Sequence, residues 1–70
     1  MNKLEEIINN PDKYNLPPET KDGLRSLLRA FETNPFFPIS RYDYAEMHLN
    51  RMRRLGQIKV DLVRIILNDF

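Results

Sequence analysis

The chain has no cysteine, no tryptophan, a single histidine and two glycines, and each scarcity closes off a class of chemistry. Without cysteine there is no disulfide framework and no thiolate metal site, so a small domain must find stability elsewhere. His48 stands alone. The residues three and four positions from it are Tyr44, Ala45, Arg51 and Met52, so the helical spacing of a metal site is missing. Gly23 and Gly56 cannot build a glycine-rich phosphate loop. No run of about eighteen apolar residues occurs, which excludes a membrane-spanning helix. The polar start Met1-Asn2-Lys3-Leu4-Glu5-Glu6 does not read as a secretory leader. A cytoplasmic protein with no metal, no cofactor and no membrane partner is the expectation.

An excess of either charge is also missing. The formal net charge is +1 over 70 residues. Residues 1–35 hold five basic and six acidic side chains, and residues 36–70 hold six and four. A dedicated nucleic-acid binder is usually clearly basic, because phosphate contacts supply most of its affinity. At 8.4 kDa the chain buries only about 62% of the surface its unfolded form exposes, which leaves a lone monomer marginal. Oligomerisation is the remaining way to add stability.

What is present is helical pattern. Proline and glycine punctuation divides the chain into an all-α bundle of three main helices plus a short N-terminal one, spanning about 2–10, 17–33, 40–55 and 58–69. Asn2 and Glu5 are spaced as a capping box for the first helix, and Asn9-Asn10-Pro11 stops it. Residues Asp12 to Leu16 then read as a connector. Pro17-Pro18-Glu19 suits a helix start. Leu24, Leu27, Leu28 and Phe31 follow at i, i+3, i+4 and i+7, the spacing of one buried face, although Gly23 weakens that helix slightly. Ser40 is placed to cap the third helix, with Asp43 three residues on, and Ile39 and Tyr44 are spaced as a hydrophobic staple. Tyr42, Tyr44, Ala45, His48, Leu49, Met52 and Leu55 share one broad side of it. Gly56 is free to take the left-handed conformation of a helix stop. A strand over Ile58–Leu62 fits the alternation but lacks a partner strand. The predicted core comprises Leu24, Leu27, Leu28, Phe31, Leu49, Met52, Leu55, Leu62, Val63 and Ile66.

The final helix has the strongest signal. Read at 100° per residue, Ile58, Val60, Leu62, Val63, Ile65, Ile66, Leu67 and Phe70 fill an arc of roughly 220°, about twice that of an ordinary one-faced helix. A chain this small is not expected to shelter such an arc alone. The reading is therefore a homodimer, with Val60, Val63, Leu67 and Phe70 at its interface. Asn34-Pro35-Phe36-Phe37-Pro38-Ile39 sets three bulky apolar residues in a loop bracketed by prolines, which pre-shape it. Phe36, Phe37 and Ile39 either close the end of the bundle or anchor a larger protein partner, since rigid aromatics on loops make effective contact points.

Catalysis has little to build on. Ser40 is explained by capping and Ser26 by a solvated face, and neither has a sequence-placed base. His48 reads as a hydrogen-bonded core or interface residue. The cluster Arg51, Arg53, Arg54 favours the negative end of its helix dipole, and Arg51 and Arg53 point about 160° apart. It is the best case for nucleic-acid contact, joined by Arg41, Lys59 and Arg64 if two chains pool their charges. A helix-turn-helix register around Gly56 is weak: Met52 stands where a small residue is wanted, and the last helix lacks a polar reading edge.

Asn34-Pro35, Pro38 and the terminal Ile65-Ile66-Leu67-Asn68-Asp69-Phe70 resemble type III secretion needle subunits, which are helical hairpins. The shorter connecting helix, the interruption at Gly56 and the missing aromatic N-terminal segment depart from that pattern, and no residue role is carried over. The expectation is a non-enzymatic protein-interaction module, with a small nucleic-acid-binding regulator as the alternative.

Overall fold

The computed structural model describes residues 2–35 and 38–70, and among these the ordered elements are all helices: α1 Asn2–Asn9, α2 Pro11–Tyr14, α3 Pro18–Thr33, α4 Arg41–Arg54 and α5 Val60–Leu67. The all-α bundle expected from sequence is the observed architecture. Val60–Leu67 is helix, which disposes of the strand reading. One element was missed. Pro11 ends α1 and also opens α2, because proline fits the first turn of a helix as well as it breaks an interior. Asn15 then closes that single turn in the left-handed conformation, φ 51°, which asparagine tolerates better than most residues.

The four longer helices form a closed cycle. α1 packs on α3 and α5, and α4 packs on the same two. Each wall delivers side chains to the centre: Leu4, Ile7 and Ile8 from α1, Leu24, Leu27 and Phe31 from α3, Ala45, Leu49 and Met52 from α4, Val63 and Ile66 from α5. Ile58, in the turn before α5, joins them. The short N-terminal helix is thus a full wall of the bundle, which its length did not suggest. Two expected core residues, Leu28 and Leu62, are only half-buried, and Leu55 is 61% exposed. Leu55 lies past the last turn of α4, where no helix of the cycle covers it.

α3 and α4 meet closely at Gly23. A β-carbon there would come within 2.5 Å of the Met52 methyl, so this glycine lets the thioether lie against the α3 backbone. The neighbouring His48 donates from Nε2 to the Gly23 carbonyl at 2.9 Å. A carbonyl can only accept, which fixes the proton on that nitrogen.

Local signals behave as read. Ser40 Oγ accepts from the Asp43 amide at 3.1 Å, an N-cap that satisfies one orphan donor. Ser40→Ala is expected to cost about 1 kcal/mol in urea unfolding, without altering the fold. At the other end of α4, Gly56 has φ +73°. The Gly56 amide donates to the Arg53 carbonyl and the Gln57 amide to that of Met52, the paired bonds of a Schellman stop.

Two further ties cross the sequence. Thr20, buried on α3, donates from its hydroxyl to the Gln57 carbonyl, fastening α3 to the α4–α5 turn. The Lys3 amide in the first turn of α1 donates to the Asp69 carboxylate at 2.9 Å. The side chain serving the start of α1 therefore includes one from the far end of the chain, beyond the local capping box expected of Glu5.

Candidate interaction surfaces

The final helix keeps less apolar surface outside than its sequence implied. Ile58, Val63 and Ile66 are buried, and Leu62, Leu67 and Phe70 pack half-buried against the core. Val63 is thereby withdrawn from the expected dimer interface, because it faces the chain's own interior. Phe70 lies 5.5 Å from Phe31 and 6.5 Å from Tyr42, ring centre to ring centre, inside an aromatic cluster that closes one end of the bundle. Only Val60, 47% exposed, and Ile65, 38% exposed, remain on the outside of α5. They are about 140° apart on the helix, so they do not make one face. Isolated apolar residues on a surface are ordinary.

Of the loop residues, Ile39 is half-buried; Phe36 and Phe37 lie outside the described residues.

The outer side of α4 is different. A shallow groove of about 240 Å³ is lined by Tyr44, Met47, His48, Arg51 and Arg54. These positions recur at three- and four-residue spacing, so the helix itself aligns them. Tyr44 and His48 stack, with ring centres 6.2 Å apart and planes at 29°. The bond from His48 to the Gly23 carbonyl holds the imidazole in that orientation. Met47 is 59% exposed and continues through Arg51 to the exposed Leu55 along one row. The broad apolar side read from the sequence is therefore two stripes. Ala45, Leu49 and Met52 turn inward; Tyr44, His48 and Leu55 border the outer face, to which Met47 also belongs.

Arg51, Arg53 and Arg54 are all exposed. The structure brings Arg51 and Arg54 to the groove and leaves Arg53 out of its lining. Among the described residues both ion pairs are made by Glu6, with Lys3 and Lys13 at 3.5 Å each, and neither groove arginine has one. Asp43 and Glu46 are not three or four residues from either arginine, so local pairing along the helix is denied to them. The Glu6 carboxyl itself is held below the usual range, first by the Tyr14 hydroxyl, then by the charge of Lys3, with Lys13 adding to it.

A second, larger groove of about 570 Å³ lies along the α4–α5 turn, where Tyr14, Leu16, Pro17, Ile58 and Leu62 supply apolar walls and Lys59 the one charge. It is a seam between the α2–α3 connection and that turn. Of the expected nucleic-acid contacts, Lys59 belongs to this seam. Arg41 sits over the Phe31 ring, 5.7 Å from its centre. Neither adds to the α4 groove.

No helix among the described residues is long and apolar enough to cross a membrane. In comparisons with known proteins, the chain matches no family model, no curated protein and no solved structure.

Proposed function

We propose that the chain is a non-enzymatic protein-interaction module, a small regulator or adaptor that presents the outer face of α4 to a larger protein. The supporting observation is the second stripe of that helix: two large apolar side chains, Met47 and Leu55, stand mostly in solvent on one row, with Arg51 between them. Apolar anchors among guanidinium groups are the composition that concentrates binding energy at protein interfaces. The sequence reading set self-pairing on the last helix and the larger partner on Phe36, Phe37 and Ile39. The contact proposed here lies on α4 instead, since α5 spends most of its apolar arc on the interior.

Affinity capture from the native host, with the chain and its Met47→Glu/Leu55→Glu variant compared side by side, tests the reading. The wild-type chain should retain a protein that the variant loses, while both melt at the same temperature. Capture that survives the double variant removes α4 as the docking face. Capture that disappears on nuclease treatment transfers the assignment to the alternative, a nucleic-acid-binding regulator using Arg51, Arg53 and Arg54. Self-pairing is separated by sedimentation equilibrium at micromolar concentration. A single 8.4 kDa species leaves the partner as a different protein, and a dimer lost in the same variant makes the partner a second copy.

A further inference from the structure

The charge of the α4 groove narrows what it receives. Its lining offers two guanidinium groups, a thioether, a phenol and an imidazole, and no carboxylate. Arginines left without an ion pair in a folded chain retain their full capacity for paired hydrogen bonds to a carboxylate. Beside them, the stacked Tyr44 and His48 rings and the exposed Met47 form an apolar floor, and methionine adapts to irregular or aromatic side chains. The two features are one helical turn apart. An occupant that satisfies both carries an acidic residue and a bulky apolar residue close together in its own sequence.

We propose that this groove is the docking site for an acidic, apolar-anchored peptide segment of a partner protein, with its carboxylates on Arg51 and Arg54 and its apolar side chain over Tyr44, Met47 and His48. The inference rests on the docking role given to α4 above and adds the chemistry of the ligand. Positive charge alone would equally attract a phosphate backbone. A single strand of nucleic acid, however, is usually held by a groove whose charge follows several nucleotides. Here Arg53 points about 160° away from Arg51 with Glu46 beside it, and Asp43 stands one turn before Met47 on the groove's own row. The positive field is therefore confined to one short patch at the Arg51–Arg54 end.

Fluorescence anisotropy with three labelled probes tests it: a glutamate–leucine repeat peptide, the matching lysine–leucine peptide and an oligothymidine. The wild-type chain should bind the acidic peptide and leave the lysine peptide free. Arg51→Glu/Arg54→Glu should weaken acidic-peptide binding by about tenfold or more, since two ion pairs become two repulsions, and Met47→Ser should weaken it independently. Arg25→Glu/Arg29→Glu, an equal charge change on the exposed side of α3, should leave binding close to wild type. Equal loss in that control shows attraction to net charge only and overturns the proposal. Tighter binding of oligothymidine overturns it in favour of nucleic acid. No binding of the acidic peptide, while native capture still depends on Met47 and Leu55, overturns the ligand chemistry and leaves the docking role of α4 intact.

Discussion

Phe31→Ala is expected to cost about 3–5 kcal/mol of folding stability, the usual range for truncating a buried phenylalanine. A domain of 70 residues holds roughly 0.05–0.15 kcal/mol per residue, or about 3.5–10 kcal/mol in all. The variant should therefore be largely unfolded at modest urea or on mild warming. Phe31 is 5% exposed, and its ring is more than filler. It meets the Tyr44 ring edge-on at 6.1 Å and the tilted Phe70 ring at 5.5 Å, with the Arg41 guanidinium over its face. Alanine would leave a void that joins α3, α4 and the C-terminal residues, and rings fixed by one another cannot collapse readily to fill it. Urea unfolding followed by circular dichroism gives the number. A loss below about 1 kcal/mol would mean that the aromatic end is loosely assembled.

Ile7→Ala is the second large effect, at about 2–5 kcal/mol. Ile7 belongs to an eight-residue helix that would be marginal in isolation, and a peripheral helix would tolerate the change. In the closed cycle the side chain is fully buried between α3 and α5, so its removal opens the centre of the molecule. The same urea experiment should rank Ile7→Ala above Leu28→Ala, because Leu28 is only half-buried. The reverse order would return α1 to the periphery that its sequence suggested.

That ranking shows where sequence reasoning ends. Features decided by neighbours along the chain were legible: the Ser40 cap, the left-handed Gly56, the start at Pro17-Pro18, and Leu24, Leu27 and Phe31 as one buried face. Each depends on a few adjacent residues whose chemistry leaves little choice. Features decided by neighbours in space were not. A wheel gives the width of an apolar arc but not the direction from which another helix covers it. The broad side of α4 was therefore read as one face, although the structure divides it between core and surface. The surplus on α5 was overestimated for the same reason, since α1 closes the cycle against it. The Thr20–Gln57 and Lys3–Asp69 bonds span most of the chain and leave no local trace. In the candidate site, Arg51 and Arg54 were named from composition. Their partners Tyr44, Met47 and His48 were missed as a group, though their three- and four-residue spacing with Arg51 was a signal in plain view.

The bond from the Lys3 amide to the Asp69 carboxylate sets the first turn of α1 side by side with the residues that follow α5. A head-to-tail cyclic version of this chain, closed through a few flexible residues, should keep the native packing. Its main action would be on the denatured chain, whose freedom to spread is cut by ring closure. The circle should consequently withstand heat better than the linear form, and new ends opened at the exposed surface loops should yield permuted molecules that still fold.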